Sequence, residues 1–280
     1  MKLPQLVVSL NALDGHGKTS ALLTAPKPIS LHHIDPNTRE LVDKAIAASK
    51  IADEDVQLHE VVYPATVFGS RDSIQKEAQA EWQDRFIEPL RTAIETKAIR
   101  TIGLDTATEF FDLLMMADHG KTIQILPELR TKTNYRFKGL LQALRRSGKH
   151  IVLLHRLRDV WESQMVEGRN GLEERRNKVD GMYEREGFNK TGYHVNVEAY
   201  LMFDGSRGRG ANAYGLRVGR SLQRPSLVTR MATDKKFWDL DDDSWWFGRE
   251  KTPDGTRVPR ASIPYLATQL FPDTELKDWI

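Results

Sequence analysis

Gly15, Gly17, Lys18 and Thr19, within the run Leu6 to Thr24 (LVVSLNALDGHGKTSALLT), are residue types that together can hold the phosphates of a nucleotide. Main-chain N–H groups of such a loop and of the helix it opens surround phosphate oxygens, the lysine adds a point charge, and the threonine hydroxyl holds magnesium. Asp14, His16 and Ser20 are part of the same loop and complete the candidate nucleotide-binding set. The run departs from the pattern GxxxxGK[ST] at Ala12, which stands where the first glycine is usual. A positive φ there would cost roughly 1 kcal/mol or more, so Gly15 and Gly17 are expected to supply the turn instead.

A metal-bound phosphate also needs a carboxylate at the end of a neighbouring strand, where it can orient water on the ion. Arg100 to Leu104 reads as a short strand delivering Asp105, followed by Thr106 and a helical pattern over Ala107 to Ala117. Thr19 and Asp105 are therefore the candidate metal residues, although Asp105 also suits the N-cap of that helix, and the two roles can coexist. A further strand, His150 to Leu154, ends in His155 and Arg156. There His155 is either a sensor of the γ-phosphate or a satisfied loop histidine.

These residues need an alternating β-α frame to bring them together. The strand before the loop is followed by a short helix, and Ala25-Pro26-Lys27-Pro28 ends it because proline removes a donor and restricts its predecessor. Ile29 to Ile34 reads as a second strand, and Thr38 to Ser49 as a helix with Thr38 as a cap. A third strand spans Gln57 to Tyr63. A long amphipathic helix from about Ser73 to Lys97 should be kinked or split by Pro89. Gly120 to Thr133 reads as loop, Asn134 to Ser147 as helix, and Leu157 to Lys190 as a mobile excursion of mixed charge. Tyr193 to Phe203 reads as a strand. Pieces near Gly215 to Val218 and Leu227 to Met231 suggest a late antiparallel hairpin added to a mostly parallel sheet. The end turns acidic at Asp239 to Asp243 and aromatic at Trp245, Trp246 and Phe247, and reads as either a docking tail or a partly disordered one.

Composition sets outer bounds. With 280 residues, 40% hydrophobic and 29% charged, the chain suits a soluble globular protein with one main domain over residues 1–231 and a tail or small appendage over 232–280. No apolar run is long enough to span a bilayer, and the N-terminus runs directly into the phosphate loop without a cleavage-site pattern, so neither membrane insertion nor secretion is expected. The absence of cysteine rules out disulfides and thiolate metal sites and fits an intracellular location. A net charge of +2 says little about partners, so local charge is what matters.

Taken together, ALDGHGKT, the strand-end pair Asp105-Thr106, and HIVLLHR before the charged excursion resemble the RecA-like P-loop ATPase core, especially phage-encoded ATPases of recombination and single-strand annealing. The resemblance spans roughly Leu3 to Met231. It implies an α/β fold with helices flanking a mostly parallel sheet, Mg-ATP at the strand ends, and single-stranded DNA held by loops after the later strands. It also implies a cytoplasmic location in an infected bacterial host. Lys18 and Thr19 match the family's phosphate and magnesium ligands, Asp105 its Walker B acid, and His155 its polar sensor. The family's catalytic carboxylate is left open among Asp35, Glu40 and Glu109, because the aspartate is better placed but shorter than the usual glutamate.

On this reading ATP hydrolysis changes the grip of the excursion on single-stranded DNA. Arg156, Arg158, Arg169, Arg175, Arg176, Arg207 and Arg209 are candidate phosphate contacts, with Trp161 or Tyr183 stacking on bases. An arginine supplied in trans within a homo-oligomer, a ring or filament, would come from Arg217, Arg220, Arg224 or Arg230. Two rival readings use the same loop. One is a P-loop kinase or small-molecule phosphotransferase with the excursion as a lid. The other is a nucleotide-dependent scaffold whose Trp245-Trp246 tail binds a protein partner.

Overall fold

Six consecutive buried residues, Val7–Ala12, form β1, whose side chains face apolar layers on both sides of a sheet. β2 (Ile29–His33) and β4 (Thr101–Asp105) are also buried throughout, as expected of parallel strands covered on both faces. The computed structural model describes residues 3–65, 69–122, 125–168, 171–228, 232, 234–239, 249–251 and 257–280. The remaining strands of the main sheet are β3 (Val56–Glu60), β5 (His150–Gly168), β6 (Gly171–Arg185), β7 (Val197–Phe203) and β8 (Tyr214–Ser221). Their order is β3-β2-β4-β5-β1-β7-β8, with β6 paired to β5. All neighbours from β3 to β7 run parallel, and β8 returns antiparallel to β7. β5 therefore lies between the strand of the glycine loop and the strand of Asp105.

Two apolar clusters flank the sheet. On one face, Val8 and Leu10 pack with α1 (Lys18–Leu22), α2 (Asn37–Ala47) and α7 (Ile263–Leu270). On the other face, Val7 and Leu153 pack with α3 (Arg71–Ala80), α4 (Glu88–Glu95), α5 (Ala107–His119) and α6 (Pro127–Arg146). The fold is thus an α/β layered domain with a mostly parallel sheet flanked by helices and a late antiparallel hairpin.

Several elements differ from expectation. The long helix is not broken at Pro89, because a π-turn over Glu81–Ile87 precedes it and the Glu88 N–H bonds the carbonyl of Gln83. That five-residue step absorbs the lost proline donor within a continuous rod from α3 to α4. α6 starts at Pro127, so much of the expected loop before Asn134 is helix, with proline at a first-turn position that needs no donor. The late hairpin pairs β7 with β8 across the Gly-Arg-rich connection, and Leu227 sits in a short 3-10 turn instead of a strand. Most of the excursion expected over Leu157 to Lys190 is the antiparallel ribbon β5–β6, with a register shift between Asp159 and Trp161.

The end of the chain, expected as a docking or partly disordered tail, belongs in part to the core. β9 (Arg249–Lys251) and β10 (Arg257–Pro259) form a small separate hairpin. Ile263, Leu266 and Trp279 are fully buried in the β1–α1 cluster, because their apolar side chains close the underside of α1. The Asp241 to Asp243, Trp245, Trp246 and Phe247 stretch lies outside the described residues, as does Met231. Among the described residues, no helix is long and apolar enough to cross a membrane.

Candidate phosphate and metal site

The candidate residues come from the carboxyl ends of β1, β2, β4 and β5, where an open parallel sheet leaves a crevice. Ala12 remains within β1, while Gly15 and Gly17 take the positive φ values, 76° and 77°. Those two glycines make the turn, and the alanine carries no strain. Gly17 caps α1, and a Cβ built on it would meet the Tyr214 ring at 3.0 Å.

Lys18 Nζ donates to the carbonyls of Ala12 (3.0 Å) and Leu13 (3.1 Å), and reaches Asp14 Oδ1 at 3.4 Å. Burial lowers its pKa, and the Asp14 carboxylate works against that shift. Thr19 Oγ1 donates to Asp105 Oδ2 at 2.7 Å across 86 positions of sequence. A second hydroxyl, Thr38 Oγ1, donates to the same oxygen at 2.8 Å. Burial raises the pKa of Asp105, and the two threonine bonds oppose it. Asp105 does not cap α5. That role falls to Thr106, whose hydroxyl accepts from the Glu109 N–H.

A hydroxyl that donates to a carboxylate keeps a lone pair for a hard cation, so Thr19 and Asp105 offer the oxygen chemistry that magnesium takes. Among the described residues there is no cluster of three or more His, Cys, Asp or Glu able to hold a metal. An ion here would rely on phosphate and water for its remaining ligands, as magnesium usually does.

The three candidate carboxylates separate clearly. Glu40 is exposed on α2 and paired with Lys44 at 2.5 Å, one helical turn away, so it does not face the site. Asp35 is half-buried at the end of β2, where its Oδ1 accepts from the Asn37 N–H and side-chain amide, both at 2.9 Å. Glu109 projects from the first turn of α5, and Arg156 Nη2 donates to its Oε1 at 2.5 Å. Burial raises the pKa of Glu109, with Arg156 opposing. Tyr63 is a neighbouring phenol whose pKa is raised by burial and by Asp112 and Glu109.

His155 is completely buried. Its Nδ1 lies 3.1 Å from Ser9 Oγ, and burial holds its pKa well below the usual value, so the ring is neutral. The next residue reaches the site instead. Arg156, expected as a DNA contact, extends toward the glycine loop, with Nε 3.7 Å from Asp14 Oδ1 while Nη2 holds Glu109. Burial opposes its charge, but Glu109, Asp14 and Asp35 outweigh that and raise its pKa. Thr38 and Arg156 thus stand at the candidate site although neither was expected there. A threonine in a first helical turn reads as a cap, and an arginine beside a charged segment reads as part of it.

The remaining arginines divide. Arg158 pairs with Glu184 on the ribbon at 2.8 Å, and Arg176 is exposed opposite Ser163. Together with Trp161, which is 59% exposed, they line a cleft of about 680 Å³ that also touches Leu13 of the glycine loop. Tyr183 is engaged edge-on with Trp238 at 5.2 Å, whereas Trp161 stays exposed among the described ribbon aromatics. Arg209 is exposed on the β7–β8 connection. Arg169 and Arg230 lie outside the described residues, as do the side chains of Arg175 and Arg207. Of the arginines expected to act in trans, the three that lie among the described residues are engaged within their own chain. Arg217 donates to the carbonyls of Phe237 and Asp239, Arg220 lies 4.9 Å over the Tyr193 ring, and Arg224 donates to the Gln269 carbonyl at 2.6 Å.

No family model matches the chain, and no curated protein does. Among solved structures, a precorrin 8w decarboxylase from the Methanobacterium thermoautotrophicum genome is similar at 11% identity over 62% of this chain and 78% of that one. Its TM-score is 0.19, a likeness that carries no argument about fold or activity.

Proposed function

We propose that the chain is an ATPase of the RecA-like P-loop kind that binds magnesium-ATP at Lys18 and Thr19 and couples its hydrolysis to single-stranded DNA held along the β5–β6 ribbon. The observation that supports this reading is the 2.7 Å hydrogen bond from Thr19 to Asp105, which brings together from distant parts of the chain the hydroxyl and the carboxylate that a magnesium-phosphate site would need. The short reach of Lys18 to its own loop carbonyls adds support, because a lysine held there can turn to a phosphate without crossing the site. Magnesium, when bound with the nucleotide, neutralises charge developing on the phosphates.

The chain's own residues then position and hold. Lys18 pairs with the phosphates, and Asp105 orients Thr19. A carboxylate, Glu109 or Asp35, takes the proton of the attacking water. The water oxygen bonds to the γ-phosphorus as its bond to the bridging oxygen breaks, and the diphosphate departs with that electron pair. Support for DNA on the ribbon comes from Trp161, Arg158 and Arg176 around a cleft that touches the phosphate loop.

Lys18→Ala and Asp105→Asn test the site. Lys18→Ala is expected to abolish ATP binding with the circular dichroism spectrum unchanged. Asp105→Asn should retain part of the affinity while magnesium-dependent turnover falls about 100-fold or more. Normal turnover in both variants would remove the site from this place. Transfer of labelled phosphate to a small acceptor, in place of release to water, would make the protein a phosphotransferase.

A further inference from the structure

Asp14 stands where two cations converge. Its Oδ1 lies 3.4 Å from Lys18 Nζ and 3.7 Å from Arg156 Nε. An anion between a loop lysine and a strand-end arginine is what a terminal phosphate would be, so the carboxylate occupies a phosphate-like position. Arg156 is held at its backbone, where the N–H donates to Thr108 Oγ1 at 3.3 Å and the carbonyl accepts from the Glu186 N–H at 2.9 Å. Its side chain can therefore swing while its root stays fixed. The far end of that side chain engages Glu109 Oε1, and Thr106 Oγ1 lies 3.3 Å from Oε2, so both oxygens of Glu109 are engaged. Held this way, Glu109 is poorly placed to accept a proton from water.

Resting on the nucleotide reading above, we infer that Asp14 acts as an internal phosphate mimic and that Arg156 is a triphosphate-sensing latch on Glu109. A γ-phosphate is a stronger partner for a guanidinium than a single exposed carboxylate, because it offers more charge and more acceptor oxygens. It displaces Asp14 and draws Arg156 to itself, and Glu109 Oε1 is freed to take the proton of the attacking water. A diphosphate lacks the group that reaches Arg156 and leaves the latch closed. The latch confines hydrolysis to the triphosphate-loaded state and makes Arg156 responsible for telling ATP from ADP.

The test is titration of the full chain with ADP and with a non-hydrolysable ATP analogue, paired with single-turnover hydrolysis of ATP. Arg156→Ala is expected to weaken the triphosphate analogue about tenfold or more and leave ADP within about twofold, while Arg156→Lys recovers part of the preference. Asp14→Asn is expected to tighten the triphosphate analogue, because the competing anion is gone. Glu109→Gln should bind the analogue at least as well as the parent and cleave ATP about 100-fold more slowly. Equal effects of Arg156→Ala on both nucleotides, or none on either, overturn the latch and leave the binding site standing. A folded parent protein that binds neither nucleotide overturns the site itself, and the latch with it.

Discussion

Asp112, one turn along α5 from the latch, carries a carboxyl whose pKa is raised to about 6 by burial and by the nearby Glu186 and Glu109, with Arg130 and Arg156 opposing. Because the folded value lies above the unfolded one, the folded chain binds the proton more tightly in the window between roughly pH 4 and 6. The resulting stabilisation is complete below the unfolded value and is lost as pH rises through about 6. Asp112→Asn should therefore match the parent in urea unfolding near about pH 4 and exceed it by about 1–3 kcal/mol near about pH 8, after allowance for solvent screening. A stability difference that does not change with pH would show that Asp112 does not bear this charge. Lys18, Thr19 and Asp105 are legible because a glycine loop between strand and helix, and an acid at a strand end, are local signals whose geometry the backbone dictates. Thr38 is not legible, because its partner is 67 positions away and nothing nearby in sequence distinguishes it from a cap.

At the scale of elements, the C-terminal turn binds the underside of the sheet more firmly than its position suggests. Trp279 is fully buried, stacks on Phe271 at 5.7 Å, lies 5.2 Å from the His150 ring, and donates from Nε1 to Thr274 Oγ1 at 2.9 Å. Trp279→Ala removes all of that contact and should cost about 3–5 kcal/mol in urea unfolding, with nucleotide affinity unchanged once the protein is folded. A loss under about 1 kcal/mol would mean the turn is detachable. Such long-range docking was hidden in the sequence, because a short apolar segment after an acidic and proline-containing stretch carries no signal of what it will cover. The parallel strands were legible because their apolar runs end in chemistry-bearing residues. The π-turn before Pro89 was not, since proline alone predicts a break, whereas the five-residue step carries the rod past it with Trp82 packed on Phe86 and Phe86 stacked on Phe110. The ribbon escaped a mixed-charge reading for a related reason. Its strands have solvent on much of their surface, so alternation of apolar and polar residues is weak.

For the whole molecule, the telling feature is that β5 is one strand with two tasks. It starts between β1 and β4, passes His155 and Arg156 beside the glycine loop, and continues outward as one arm of the ribbon. A change in how Arg156 is held is therefore covalently and through the same strand connected to the surface bearing Trp161 and Arg176. If single-stranded DNA lies on that surface, its affinity should divide into two separable parts. Arg176→Ala should lower the slope of log affinity against log salt by about 0.7, the share of one neutralised phosphate on a single strand. Trp161→Ala should leave the slope alone and weaken binding by about 1–3 kcal/mol at every salt concentration, because stacking releases no counterion. Replacing residues 160–182 with an Asn-Gly turn, which the antiparallel pairing at Leu157, Arg158 and Asp159 can close, should abolish retention of the oligonucleotide and keep nucleotide affinity within about twofold. Retention that survives this replacement would place the DNA elsewhere, with the β7–β8 connection that carries exposed Arg209, and whose flanking Phe203 and Tyr214 meet His16 and Gly17, as the surface to examine next. Nucleotide affinity that falls with it would mean the ribbon braces the phosphate site as well as extending from it.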